Sequence, residues 1–284
     1  MKIVVGIDGS EASSDALRYA HGEAVSSGAE LVAVTVWEVP VMAAAYITTE
    51  EVDGAMDPWM EGFIAEVLGE DGSAVKRAPA SGSAAAALLE EAEDADTLIV
   101  GTRGHGGLAG VIMGSVSHQL ANHTPCPLTV VPASNGAAGA ADGPIVVGVD
   151  GSSNAQTALR WAAERAARTG LGLRVVMAWR GEAAGWLAGT EVQTSWPSFE
   201  DLEQQAREML GEVIDEAGLP EGLEPQLVLG EGAPASVLRE AADGASMLVL
   251  GSRGRGVFMG LLLGSVTSHT LNHIFCPTTV VPAQ

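Results

Sequence analysis

The sequence predicts an α/β fold made of two tandem, doubly wound domains, each with a five-stranded parallel sheet in the order 3-2-1-4-5 flanked by helices. Short apolar runs alternate with alanine-rich stretches of helical character, which is the pattern of strand–helix–strand units. The apolar runs are continuous rather than alternating, as in strands that are covered on both faces. The whole pattern occurs twice in 284 residues.

The duplication is visible in the residues themselves. Between residues 101–132 and 251–282, 16 of 32 aligned positions are identical. An opening turn, Gly6–Ser10, recurs as Gly148–Ser152 at an offset of 142 rather than 150, so the second copy holds 150 − 142 = 8 extra residues. Internal similarity of this length indicates a duplicated domain.

The boundary between the copies is a small, polar, glycine-rich stretch, which is typical of a flexible linker. We therefore predict a first domain at residues 1–133, a linker at 134–143 and a second domain at 144–284.

Each predicted element follows from a local pattern. In the first copy, apolar runs predict strands near 3–7, 31–37, 74–78, 97–100 and 128–131, and the stretches between them predict helices near 13–25, 50–68, 83–92 and 115–124. In the second copy the strands are expected near 145–149, 173–179, 223–229, 247–250 and 278–281, and the helices near 155–169, 199–216, 234–242 and 265–273. Parallel strands need right-handed crossovers, which the helices supply.

In open parallel sheets the ligand crevice lies beyond the carboxyl ends of the strands, where the strand order reverses. With the order 3-2-1-4-5, strands 1 and 4 are neighbours at this reversal. Asp8 follows strand 1 and Gly101 ends strand 4, so we expect the two to line one pocket. The same geometry joins Asp150 to Gly251.

Glycines follow strand 4 with the same spacing in both copies: Gly101-x2-Gly104-x9-Gly114-Ser115, and again from Gly251 to Ser265. Glycine allows close approach of the backbone to a ligand, and a helix start offers free N–H groups to a phosphate. Two other interpretations stay open at this point. Ser115 and Ser265 would also serve as helix N-caps, and the glycines would also suit a flexible connector.

Other ligand motifs fit less well. A P-loop needs a Gly-Lys pair, but the two lysines of the chain are Lys2 and Lys76. Residues 104–109 match the dinucleotide fingerprint, but after the wrong strand. His123-x2-Cys126 and its repeat would suit a metal, although packing is the favoured explanation because a closed site needs further ligands.

The glycine spacing after strand 4, the aspartate after strand 1, and a Cys-Pro pair followed by Thr-Val-Val-Pro resemble the universal stress protein family over both halves. The resemblance implies ATP binding, as in the family members that carry this loop, with Mg²⁺ accompanying the phosphates. It places the following residues at the nucleotide: Asp8, Val36, Gly101, Arg103, Gly104, Gly114, Ser115, Val116, Asp150, Ala178, Gly251, Arg253, Gly254, Gly264, Ser265 and Val266.

The resemblance assigns these residues different roles. The aspartates would contact adenosine or a metal, although Asp-Gly-Ser is also good turn chemistry. Val36 and Ala178 would meet adenine through the backbone, the helix starts would hold the terminal phosphates, and the loop arginines would offset charge or be solvated. His105 is replaced by Arg255 in the second copy, which predicts tighter binding there.

Composition bounds the function. A formal net charge of −22 disfavours nucleic acid and acidic membranes as partners. Two cysteines and no long apolar span predict a cytoplasmic, soluble protein. We expect the halves to form an internal pseudo-dimer, with possible homodimerisation and a regulatory protein partner that the sequence does not identify.

The sequence therefore predicts an ATP-binding regulatory protein of the stress response. No nucleophile–base pair recurs in both copies, so no catalytic residue is predicted. Two alternatives remain open: a slow ATPase or phosphotransferase that uses the same pocket, and a nucleotide-free interaction scaffold.

Overall fold

The structure is a computed structural model that describes residues 1–37, 49–102, 104, 113–133, 142–179, 199–254 and 263–283. By contacts, the chain divides into two compact units. The first comprises Met1–Ala138 with Leu271–Pro282, and the second comprises Gly139–Thr270 with Ala283–Gln284. No helix in the described part of the chain is long and apolar enough to cross a membrane.

The first copy alternates strands and helices as predicted. Its strands are β1 (Lys2–Gly6), β2 (Glu30–Trp37), β3 (Lys76–Ser81), β4 (Thr97–Gly101) and β5 (Leu128–Val131), and its helices are α1 (Glu11–Ser27), α2 (Thr49–Leu68), α3 (Ala84–Glu91) and α4 (Ser115–His123).

The second copy repeats this order. Its strands are β6 (Ile145–Val149), β7 (Leu173–Trp179), β8 (Gln226–Glu231), β9 (Met247–Gly251) and β10 (Thr278–Val281), and its helices are α5 (Ser153–Thr169), α6 (Phe199–Ala217), α7 (Pro234–Ala241) and α8 (Ser265–Asn272).

The strands of the first unit pair in the order β3-β2-β1-β4-β5, with parallel neighbours. The unit also contains β10, which pairs with β5 in antiparallel register. Thr279 lies opposite Thr129, and their hydroxyl oxygens are 2.8 Å apart in the buried interior. The sheet of this unit therefore has an antiparallel strand beyond the five parallel strands that the sequence predicts.

The second unit contains the parallel order β9-β6-β7-β8. The predicted α/β class is confirmed, with parallel sheets flanked by helices.

Helices cover both faces of the first unit's sheet. On one face, Leu17 of α1 and Met60 of α2 belong to the same buried cluster as Val5 of β1. On the other face, Leu88 of α3 lies against Gly6, where an added Cβ would be 3.2 Å from its side chain. This two-sided covering explains why the strands read as continuous apolar runs.

Serine caps fix where the first helix of each copy begins. Ser10 accepts a hydrogen bond from the Ser13 amide, so α1 begins at Glu11, two residues earlier than predicted. Ser152 caps α5 in the same way. Strands β3 and β8 begin two or three residues later than predicted, since their pairing with β2 and β7 starts at Lys76 and Gln226.

A cation holds the C-terminal end of the third helix in each copy, from a different position in the chain. Lys2 donates through Nζ to the Glu91 carbonyl oxygen at 3.1 Å, to Glu91 Oε1 at 2.7 Å and to Asp94 Oδ1 at 2.6 Å. In the second copy, Arg174 of β7 donates to the Ala241 carbonyl at the end of α7. A positive charge at the C-terminal end of a helix interacts favourably with the helix dipole.

The Lys2 contacts shift proton affinities. Burial alone lowers the pKa of Lys2, but the hydrogen bonds and charges of Asp94 and Glu91 outweigh it, so the pKa lies above its ordinary value. The hydrogen bond from Lys2 holds the pKa of Asp94 below its ordinary value. The contacts therefore stabilise the fold fully between the ordinary values of 3.8 and 10.5, and less as the pH leaves that window on either side.

We expect Lys2→Met to lower the melting temperature at pH 7 by about 2–4 °C. The loss should shrink as the pH falls through the lowered pKa of Asp94, because the wild-type contact is then lost too. Thermal unfolding over a pH series from 7 downward measures both effects. Lys76→Met is the control, since Lys76 pairs with Glu30 at 2.6 Å on the exposed surface and should change little. An equal loss in the control would contradict this role for Lys2.

Candidate functional site

The strand register aligns the predicted site residues at the carboxyl edge of each sheet. Gly6 pairs with Val34, and Val5 pairs with Ile99. Continued by two and three residues, these registers bring Asp8 level with Val36 and Thr102. In the second copy Val149 pairs with Met177, which brings Asp150 level with Ala178.

The carboxylate of Asp8 joins the first-strand turn to the glycine loop. Its Oδ1 accepts hydrogen bonds from the Ser10 amide at 3.0 Å and the Ser10 hydroxyl at 2.6 Å. Its Oδ2 lies against Gly104, where an added Cβ would collide with it. Two motifs far apart in sequence therefore meet at one point, and the aspartate also performs the turn chemistry that the sequence allowed.

The second copy has the same contact. The Ser152 amide donates to Asp150 Oδ1 at 3.0 Å, and an added Cβ on Gly254 would collide with Asp150 Oδ2. In each copy, therefore, an aspartate carboxylate lies against the backbone of a loop glycine.

Gly101 and Gly251 have a packing role. A Cβ on Gly101 would be 2.6 Å from the Ala12 carbonyl oxygen, and a Cβ on Gly251 would be 2.8 Å from the Asn154 carbonyl oxygen. Glycine is required here because the strand end passes close to the first helix. The glycine spacing predicts a ligand contact at these two positions, and nothing in the sequence pattern predicts the contact with the helix.

The start of α4 is capped by glycine rather than serine. Gly114 is the N-cap, with φ −72° and ψ 159°, and Ser115 is the first helical residue. In the second copy the Ser268 amide donates to the Gly264 carbonyl at 2.8 Å, and α8 begins at Ser265. The N-cap interpretation of Ser115 and Ser265 is therefore wrong.

A glycine cap supplies no side-chain acceptor for the amides of the first helical turn. Gly114 has no side chain to accept from an amide of the first turn, whereas the side chain of Ser10, which precedes α1, accepts from the Ser13 amide. Free amides at a helix start, together with the helix dipole, form a binding site for an anion.

The ends of the glycine loop are fixed by two hydrogen bonds. The Gly114 amide donates to the Thr102 carbonyl at 2.8 Å, and the Ser117 hydroxyl donates to the Gly101 carbonyl at 2.9 Å. The Gly264 amide donates to the Ser252 carbonyl at 2.7 Å, and the Thr267 hydroxyl to the Gly251 carbonyl at 2.8 Å. These two hydroxyls are not among the predicted site residues. The sequence does contain a signal for them, because the third helical position has serine in one copy and threonine in the other.

Comparison with known proteins decides the family. The sequence profile described as "Universal stress protein family" matches residues 1–132 and 143–282. The chain belongs to the universal stress protein family. Its two matched regions make it a tandem member.

Individual relatives agree with this assignment. A universal stress protein of Mycolicibacterium smegmatis is 31% identical over 291 residues, covering 98% of this chain and 96% of the relative. One from Mycobacterium tuberculosis is 27% identical over 293 residues, covering 98% and 96%. The crystal structure of a universal stress protein from Archaeoglobus fulgidus has a TM-score of 0.70 at 21% identity, covering 99% of this chain and 98% of that one, and so has the same fold.

The remaining predicted residues that the structure describes in this universal stress protein lie around the same edges. Arg253 is exposed, and an added Cβ on Gly264 would be 3.4 Å from its Cα atom, so it lies beside the start of α8. The valines and the alanine of the predicted set are partly buried: Val36, Val116, Ala178 and Val266. Arg103, His105 and Arg255 lie outside the described residues.

The His-x2-Cys pattern holds two groups in different environments. The exposed His123 ring contacts the Gln119 carbonyl oxygen through Nδ1 at 3.0 Å. Cys126 is buried beside Thr124, and this burial raises the pKa of its thiol. No cluster of three or more metal-binding side chains occurs within the described residues.

We expect Gly101→Ala to destabilise the protein by about 1–3 kcal/mol, because the new methyl group overlaps the Ala12 carbonyl. Gly62→Ala is the matched control, since Gly62 lies in α2 with nothing within 4 Å of the added Cβ. That change should stabilise the helix by up to about 1 kcal/mol. Urea unfolding measures both, and equal stability of the two variants would refute the packing role of Gly101.

Proposed function

We propose that this universal stress protein binds ATP at the carboxyl edge of the parallel sheet in each half. The observation that carries the proposal is the start of α4, which has a glycine cap without a side-chain acceptor and is bonded to Thr102, while the carboxylate of Asp8 lies against Gly104 of the same loop. The repeat of the same arrangement around Asp150 and Gly264 supports a second site.

Each group has a chemical task in the proposed site. The amides of Ser115 and Val116, and of Ser265 and Val266, would hold the terminal phosphates. Gly104 and Gly254 would let the loop backbone approach the ribose and phosphates. The nucleobase would lie by the backbone of Val36 or Ala178, level with the aspartates at the strand ends.

Magnesium fits the donor set in part. Mg²⁺ prefers oxygen ligands and commonly takes one or two carboxylates together with substrate phosphates. Asp8 and Asp150 supply such carboxylates beside the loops, and the bound metal would reduce the phosphate charge that these aspartates repel.

The acidic balance of the chain makes local positive potential necessary. At a formal net charge of −22, the protein repels a free triphosphate at long range. The positive ends of α4 and α8 act within a few ångströms, and the exposed Arg253 adds a full charge beside one of them. Arg253 has a counterpart in Arg103, whereas His105 of the first copy is replaced by Arg255 in the second. Because of this additional positive charge, we propose tighter binding in the second half.

The biological role follows from occupancy. Bound ATP would order the glycine loops and change the surface offered to a regulatory protein partner or a second chain in the cytoplasm. Hydrogen exchange across residues 101–114 and 251–264 should slow with saturating ATP and Mg²⁺. Repeated release of ADP by the purified protein would favour the ATPase alternative instead.

Replacement of Ser115 by proline tests the amide directly. Proline is well tolerated at the first helical position, and the φ and ψ of Gly114 suit a residue that precedes proline. Ser115→Pro therefore removes one donor with little cost to the helix. We expect two ATP per wild-type chain by isothermal titration calorimetry, with one site weakened about tenfold or more by Ser115→Pro.

Ser115→Ala is the matched control, because it removes the hydroxyl but keeps the amide. It should bind two ATP like the wild type. Unchanged binding by Ser115→Pro, or no heat of binding by the wild-type protein at millimolar ATP, would refute the proposed site.

A further inference from the structure

The third residue of α4 and of α8 makes an unusual contact for a residue in a helical first turn. Ser117 and Thr267 are buried, with 4% and 5% of their surfaces exposed. Each hydroxyl donates to the carbonyl of the glycine that ends the preceding strand, 16 residues earlier, rather than to a neighbouring turn. The contact therefore joins the helix start to the strand end across the whole glycine loop.

We infer that Ser117 and Thr267 are positioning residues for the nucleotide, and the inference rests on the proposed ATP sites. A second bond runs in parallel with each hydroxyl contact, from the Gly114 amide to Thr102 and from the Gly264 amide to Ser252. Two bonds to adjacent strand-end carbonyls define both the distance and the rotation of the helix start relative to the sheet. With the backbone bond alone, the rotation of the helix start about that bond is less restrained.

The orientation matters because the proposed phosphate donors are the two residues just before the hydroxyl. The amides of Ser115 and Val116 lie within one turn of Ser117, and their directions follow the rotation of that turn. Hydrogen bonds weaken steeply as donor angles fall. Preorganised amides bind an anion without an ordering cost, and a loosened turn must be ordered by the ligand.

The two copies supply their own conservative exchange. The first copy uses serine and the second uses threonine, with donor–acceptor distances of 2.9 and 2.8 Å. The hydroxyl is therefore the shared feature, and the extra methyl group is tolerated in the second copy.

The decisive variant combines Ser117→Ala with Thr267→Val, which removes both hydroxyls and nearly preserves shape. We expect ATP affinity, measured by calorimetry with Mg²⁺, to fall about tenfold, which corresponds to about 1.4 kcal/mol. The exchange variant, Ser117→Thr with Thr267→Ser, keeps a hydroxyl at each position. It should bind ATP with an affinity within about twofold of the wild type, a difference much smaller than the tenfold loss expected for the decisive variant.

The matched control combines Thr124→Val with Thr278→Val. These buried hydroxyls also donate to a backbone carbonyl, that of Cys126 at 2.6 Å and of Cys276 at 3.0 Å, but lie away from the helix starts. The control should lose melting temperature like the decisive variant while ATP affinity stays unchanged. Amide exchange at 115–118 and 265–268 without nucleotide should rise only in the decisive variant.

Three outcomes are distinct. If the decisive variant binds ATP with the same affinity as the wild type, the positioning role is overturned and the proposed function stays intact. Equal loss of affinity in the control would reduce the role to general stability and overturn it as well. A wild-type protein that binds no ATP would remove the proposed function, and with it the positioning role, whatever the exchange data show.

Discussion

The close approach of the fourth strand's end to the first helix is the constraint on which the site depends. Gly101 passes so near the Ala12 carbonyl that a methyl group has no room, and Gly251 does the same beside Asn154. This approach brings the β4 end against the turn that starts α1, so the carboxylate of Asp8 reaches Gly104. The missing side chain at Gly101 thus determines where Gly104 and the rest of the loop lie. One glycine pattern therefore serves both the packing of the strand against the helix and the geometry of the candidate site.

The helix starts at this edge differ in how their first turns are capped. Ser10 satisfies the first turn of α1 from within the protein, and Ser152 does so for α5. Gly114 has no side-chain acceptor. Two hydrogen bonds nevertheless hold the same helix start in place, from the Gly114 amide to Thr102 and from the Ser117 hydroxyl to Gly101. A rigid helix end without a side-chain cap is what an anion site requires, and it is the basis of the proposed nucleotide function.

Much of this arrangement could be predicted from sequence, because it follows from periodicity and topology. Continuous apolar runs give buried parallel strands, and the strand order makes Asp8 and the glycine loop neighbours. Other features depend on three-dimensional distances that no local pattern encodes. The Gly101–Ala12 approach, the Ser117 contact and the cation at the end of the third helix are of this kind. That cation comes from Lys2 in one copy and Arg174 in the other, so alignment of the copies does not reveal it.

The placement of β10 has a consequence for how the chain is made. Its four residues pair with β5 and belong by contact to the first unit, although they follow the other strands of the second copy in sequence. While the ribosome is still translating the second copy, β5 has no β10 strand to pair with along this edge of the sheet. The antiparallel edge of β5 is therefore filled only by a segment that lies about 150 residues further along the chain, so loss of residues 278–281 would leave β5 as an open sheet edge.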